Sequence, residues 1–165
     1  MRADLDTVDR HILQLLQENA SLTAADVAAR VGLSQSPCWR RIARLERDGL
    51  IRRRVAVLDR DRLGLGVVVF AQVKFAGGAR QSLAEFEQAV RDFPEVQECF
   101  MLMGEVDFLL KVVTRDVAAY ERFLRDKLTL IPTVREVRSS MALSAVKEGT
   151  ALPLELIEPA GAGDE

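Results

Sequence analysis

Cysteine is nearly absent: Cys38 and Cys99 are the only two in 165 residues. They are too few for a disulfide framework and too far apart for a metal knuckle, so reduced, buried thiols are expected. Histidine is scarcer still. His11 stands alone, with no Cys or Ser beside it in sequence to form a nucleophile and base pair, and is expected to be solvated or at the edge of a core. No run of apolar residues approaches the roughly 20 that a membrane span needs; the longest, such as 65–71, stop far short. Asp4, Asp6 and Asp9 spoil any N-terminal signal peptide. A cytoplasmic protein with no membrane partner is expected. The chain also lacks the dinucleotide-binding glycine fingerprint, the phosphate-binding P-loop, the zinc-protease HExxH and the nucleophile-elbow GxSxG. The expectation is therefore of no enzyme activity, no metal and no cofactor.

What remains is a foldable chain, 48% hydrophobic and 29% charged. Its net charge of −2 hides a strong asymmetry. Residues 1–63 carry 12 basic and 9 acidic side chains, whereas 64–165 carry 11 and 16. Between positions 34 and 58, seven arginines (40, 41, 44, 47, 52, 53 and 54) face only Glu46 and Asp48. A basic first half joined to an acidic second half is expected where only one of them meets phosphate.

The first half reads as three helices. Asp6 is a good N-cap, and Val8, Ile12, Leu15 and Leu16 mark one face of a helix ending near Asn19. Thr23 can cap the Asp26 amide of a second, short helix with a Val27, Ala28 and Val31 stripe, closed by Gly32. Ser34 opens a third helix, with Pro37 in its tolerant first turn, a Cys38, Ile42 and Leu45 stripe and Gly49 as its stop. A short helix, a tight glycine turn and a longer basic helix make a helix-turn-helix, which binds double-stranded DNA through its last helix. Ser34, Gln35, Ser36, Arg40, Arg41 and Arg44 are expected to project away from the stripe, the short polar residues towards base edges and the arginines towards phosphates or guanine. Trp39 is expected in the core, with stacking on the DNA backbone as the other option. Residues 51–58 alternate cationic and apolar positions and read as a wing or linker strand. Glycines at 64 and 66 mark a boundary.

The second half contains an internal repeat. Phe86-Glu87 followed by Arg91-Asp92 matches Tyr120-Glu121 followed by Arg125-Asp126, and Pro94-Glu95-Val96-Gln97-Glu98 answers Pro132-Thr133-Val134-Arg135-Glu136. Each copy places a helix (82–92, then 116–130) between an apolar strand (67–75, then 108–113) and a further strand starting at Val96 or Val134. Two βαβ halves in tandem give βαββαβ, a ferredoxin-like arrangement. With both helices on one face of the sheet, the other face needs cover, so this half is expected to make a homodimer. The Met103-Gly104-Glu105-Val106-Asp107 stretch joins two apolar strands. It can be a plain β-hairpin, because Gly and Asp are turn residues, or a site where a carboxylate holds an ammonium group and backbone amides receive a carboxylate.

Several of these stretches together resemble one family. Asp6-x-x-Asp9, Ser36-Pro37-Cys38-Trp39-Arg40-Arg41-Ile42, Leu45-Glu46-x-x-Gly49-Leu50-Ile51 and Gly104-x-x-Asp107-Phe108 are similar, at matching separations, to the leucine-responsive regulatory protein/asparagine-operon regulator (Lrp/AsnC) family. The resemblance covers about residues 5–147. It implies an α+β protein: a winged helix-turn-helix at 1–51, a wing or linker strand at 52–63, a ferredoxin-like effector-binding and oligomerisation domain at 64–154, and a disordered tail at 155–165. It also implies a regulator of amino-acid metabolism genes that responds to a small amino-acid effector, as a homodimer or octamer. The implied effector residues are Met101, Met103, Gly104, Asp107, Ser139, Ser140 and Met141; Met103 stands where many members carry a small or hydroxyl residue. The rival reading is an architectural protein that wraps DNA without any effector.

Overall fold

A computed structural model of the chain describes residues 5–76 and 80–157. The described residues fall into two compact units, divided between Val57 and Leu58, with the chain from Lys147 onward returning to the first unit.

The first unit holds α1 (Thr7–Glu18), α2 (Ala24–Val31) and α3 (Gln35–Arg47). Short-range signals set their ends. Asp6 accepts the Asp9 amide at 2.7 Å, and Thr23 and Asp26 form a reciprocal capping box. Gly32, at φ 70°, turns the chain through a left-handed conformation that a side chain rarely adopts. The stripes that the helices share close into a core of Ile12, Leu16, Val27, Ala28, Cys38, Ile42 and Leu45. Cys38 is buried as expected, but Cys99 in the second unit is exposed, because it lies on a strand at the sheet edge. His11 is exposed on α1.

Residues 51–58 do not form the expected strand. A strand is held by hydrogen bonds to a neighbour, and no other segment of the described chain pairs with this one. Val55, Val57 and Leu58 are left 57%, 79% and 69% exposed.

The second unit contains β1 (Val67–Phe75), α4 (Arg80–Arg91), β2 (Val96–Met101), β3 (Phe108–Thr114), α5 (Val117–Asp126) and β4 (Val134–Met141). The antiparallel sheet has the order β2-β3-β1-β4, so the two copies of the sequence repeat interleave into one βαββαβ sheet. Val69, Ala71 and Val73 of β1 pack with Phe108, Leu110 and Val112 of β3 against Phe86 of α4 and Phe123 of α5. Alternation puts Phe70 and Gln72, with their partners Lys111, Leu109, Ser140 and Arg138, on the opposite face. The second helix is shorter than the sequence suggests: it breaks at Lys127 into a 3₁₀ turn, Leu128–Leu130.

After β4 the described chain runs to a 3₁₀ turn, Leu154–Leu156, so the tail expected from 155 begins with a described turn, and 158–165 lie outside the described residues. Leu152 exchanges two hydrogen bonds with the Gln17 side chain, and Arg10 donates to the Ile157 carbonyl at 3.2 Å. These contacts attach the returning segment to α1, although the sequence reading groups residues up to 154 with the second domain.

Candidate DNA interface and effector site

One turn of α3 is about 3.6 residues, so Cys38, Ile42 and Leu45 fall on one side and Ser36, Arg40 and Arg47 on the other. Ser34, Gln35, Ser36 and Arg40 are all exposed. Ser34 occupies the N-cap with extended backbone, yet its hydroxyl caps no amide, contrary to the sequence expectation. The first-turn amides are thus left without a side-chain acceptor. Arg40 enters no ion pair among the described residues.

Arg41 and Arg44 behave differently. Instead of projecting freely from the stripe, they lie on the flank of α3 that faces α1. Arg41 donates to Asp6 at 2.6 Å and to Asp9 at 2.9 Å, and Arg44 pairs with the other oxygen of Asp9. The Asp9 side chain is 1% exposed and both its oxygens are occupied. Hydrogen bonding to the Asp9 amide, aided by Arg41, holds the Asp6 carboxyl below its ordinary range, and the same carboxylates raise Arg41. Sequence reasoning assigns Asp6 and Asp9 to capping alone. Two acids three apart at the head of one helix, with two arginines three apart on another, carried the missed signal. A guanidinium has five N–H donors, so both arginines keep some for a further acceptor.

Trp39 is not in the core. It is 61% exposed on the other flank of α3, beside Gln35 and Ser36, with which it lines a shallow concavity. Two turns further along the same flank Glu46 pairs with Arg54 at 2.9 Å, and the indole itself stays exposed.

In the second unit, Met101 ends β2, Met103, Gly104 and Asp107 lie in the β2–β3 connection, and Ser139, Ser140 and Met141 end β4. Met101 and the β4 residues lie on opposite edge strands, because β3 and β1 stand between β2 and β4, but the connection reaches back across the sheet: Asp107 bonds to β1, and Glu105 accepts from Arg138 of β4 at 3.3 Å. At the usual strand spacing the outer strands are about 14 Å apart. Nor do the β4 residues share a face: Ser140 pairs with Phe70, whereas Ser139 pairs with Ala71 on the helix-covered face, where its hydroxyl meets the Tyr120 hydroxyl at 2.5 Å. Burial raises the Tyr120 phenol.

Asp107 has a structural task that sequence reasoning did not find. Its Oδ2 accepts the Phe75 amide at 2.8 Å, where the β1–β4 register shifts, and its own amide donates to the Val73 carbonyl at 3.0 Å. The carboxylate remains exposed. Met103 is fully exposed.

Comparison with known proteins identifies both units. Residues 5–52 match the winged helix-turn-helix DNA-binding model, and residues 68–152 match the Lrp/AsnC ligand binding domain. The chain is 40% identical to the Bkd operon transcriptional regulator of Pseudomonas aeruginosa over 92% of its own length and 99% of that protein's. An AsnC family transcriptional regulator from Agrobacterium tumefaciens superposes with a TM-score of 0.88 at 44% identity, over 92% of this chain and 98% of that one. A transcriptional regulator from Neisseria meningitidis, solved as an L-Met complex, gives 0.88 at 40% identity, over 91% and 97%. With a DNA-binding head and a ligand-binding sheet domain in the same order and over nearly its whole length, the chain belongs to the Lrp/AsnC family of transcriptional regulators.

Proposed function

We propose that this protein is a sequence-specific transcriptional regulator of amino-acid metabolism genes, that α3 is its recognition helix, and that a small amino acid binding to the sheet domain tunes its hold on DNA. The observation that carries the DNA half is the division of labour on α3. Asp6 and Asp9 fix Arg41 and Arg44 against α1, while Arg40 and the uncapped helix start at Ser34, Gln35 and Ser36 stay unengaged. Unpartnered amides at a helix N-terminus suit a phosphate, and Arg40 can reach a second phosphate or grip a guanine edge. Arg41 and Arg44 offer their remaining N–H groups to the backbone.

The effector reading draws on the ligand-binding model match and the L-Met complex of the Neisseria relative. These favour an effector over the purely architectural alternative. Met101, which ends edge strand β2, and Ser139, Ser140 and Met141, which end edge strand β4, are separated by two strands, so a site that used all of them would draw on a second copy of the chain. Self-association is also favoured by the unpaired 51–58 segment and by Phe70 and Phe100, 39% and 52% exposed on the sheet.

The test is made with the full-length protein and a duplex recovered by in vitro selection. Arg40→Ala should cost about 1 to 3 kcal/mol at one base position, or flatten the salt dependence of log K by about 0.9 if the contact is to phosphate. Unchanged affinity and salt slope would remove α3 from its assigned role. A thermal-shift screen against the twenty amino acids should find at least one that raises Tm; none doing so would favour the architectural reading.

A further inference from the structure

Trp39 is the only tryptophan in the chain, and it is exposed on α3 while the helix's other large apolar side chains are buried. A tryptophan carries roughly 150 to 250 Å² of surface that gains from leaving water, so leaving 61% of it exposed is unfavourable in the free protein. The rest of α3 is orderly: its other apolar side chains are turned inward, and Cys38, Ile42 and Leu45 are all buried. Trp39 sits one position on from Cys38, rotated about 100° from the core stripe, with Gln35 and Ser36 one turn before it and Arg40 next to it. The Arg41 and Arg44 pairs with Asp9 tie the opposite flank to α1. They fix the roll of α3, and with it the direction in which Trp39 is presented.

We infer that Trp39 is a specificity-determining residue, reading the 5-methyl group of a thymine in the major groove. The inference rests on α3 being the recognition helix. Charge complementarity commits the surface to DNA: beside the indole stand Arg40, which enters no ion pair among the described residues, and the uncharged Gln35 and Ser36, while Glu46, two turns further along this flank, is paired with Arg54. Among the groups that base pairs expose in the major groove, the thymine methyl is the apolar one, so it is the group against which an indole loses water without leaving a base donor or acceptor unpaired. Intercalation is a minor-groove device that unstacks base steps, and a helix lying in the major groove meets base edges rather than faces.

The test separates methyl reading from general adhesion. A duplex selected with the full-length protein is resynthesised with deoxyuridine in place of each thymidine in turn, which deletes the methyl and leaves every hydrogen-bonding group intact. Wild type should lose about fourfold in affinity at one thymine per half-site, the factor that burial of one methyl-sized group supplies. Trp39→Ala should bind the thymine duplex more weakly and show no further loss with uridine at that position, while Trp39→Leu should keep part of the sensitivity. Both variants should melt with the wild type, since the side chain is exposed. The inference is overturned if wild type is indifferent to uridine throughout, if Trp39→Ala keeps the full uridine effect, or if it weakens every sequence equally, which would mean sugar or phosphate contact. It is also overturned if Trp39→Ala lowers the oligomeric state in sedimentation, which would make the indole a contact between copies. Arg40→Ala serves as the control for the reading beneath it: if Arg40→Ala weakens binding while Trp39 shows no coupling to the methyl, α3 keeps its role and only this inference falls.

Discussion

Arg41 Nη1 lies 2.9 Å from Asp9 Oδ1, joining the middle of α3 to the first turn of α1 across 32 residues of chain. The same nitrogen reaches Asp6, and Arg44 takes the other Asp9 oxygen, so a carboxylate that is 1% exposed balances two partly exposed cations. Removing one partner of a fully buried pair costs about 3 to 5 kcal/mol. Here the arginines left behind can turn to water, so Asp9→Ala should cost less, about 2 kcal/mol, measured by urea unfolding of the full chain. The same variant should bind non-specific DNA at least as well, because two cations are released, but discriminate less between sequences, because α3 has lost its anchor.

A pH dependence follows from Asp6. Its carboxyl titrates below the ordinary 3.8 because the Asp9 amide donates to it and Arg41 lies beside it. The unfolded chain then takes up its proton before the folded one does. The stabilising contribution is present above pH 3.8 and is lost as pH falls through the lowered folded value. Asp6→Asn keeps a good N-cap but has no charge to titrate. Its stability, followed by circular dichroism, should therefore fall less steeply than wild type below about pH 4; identical acid limbs would dissociate Asp6 from the effect.

What could be read in the sequence was whatever acts within a turn of helix or along one strand. Asp6, Thr23 and Gly32 shape their own neighbourhoods, so helix starts and stops are legible. The Phe86 and Tyr120 repeat discloses the βαββαβ order, because each copy contains its own strand, helix and strand. The misses are non-local. Whether Trp39 is buried depends on what packs over it, and its own stretch of sequence does not contain that information. The pairing of Arg41 with Asp9 and of Asp107 with the Phe75 amide spans 32 residues in each case, and both are side-chain choices among several possible partners. Residues 51–58 have the alternation of a strand but no neighbour among the described residues to pair with, and alternation does not supply one.

The returning segment is held by hydrogen bonds more than by burial. Leu152 is 68% exposed, yet its amide donates to Gln17 Oε1 and its carbonyl accepts from Gln17 Nε2, both at 3.0 Å. Gln17→Ala should cost only about 0.5 to 1 kcal/mol overall, because the exposed groups regain water. Its local effect should be larger: the Leu152 amide should exchange its hydrogen faster, and protease cleavage after 147 should speed up. Gln17→Glu, which still accepts but cannot donate, should fall between. Unchanged exchange at Leu152 in both variants would show that the contact does not hold the segment.

Asp107 offers a way to separate scaffold from effector chemistry at one residue. Oδ2 is engaged by the Phe75 amide at 2.8 Å, where β1 shifts register, while the carboxylate as a whole remains exposed and charged. Asp107→Asn can keep the bond to Phe75 through its carbonyl oxygen but has no charge to offer an ammonium group. Asp107→Ala loses both. If the residue only anchors the β2–β3 connection to β1, Asn should behave as wild type, and Ala should lose about 0.5 to 1.5 kcal/mol of stability with the bond to the Phe75 amide, which water can partly replace. If the carboxylate also holds an amino-acid ammonium, Asn should melt near wild type yet bind the effector one to two orders of magnitude more weakly, the loss of a charge-assisted hydrogen bond worth about 1.5 to 3 kcal/mol. DNA affinity without effector should stay unchanged in the Asn variant. Calorimetry with the amino acid found in the thermal-shift screen decides between the two: wild-type effector affinity in a stable Asp107→Asn protein would leave the residue with its structural bond alone.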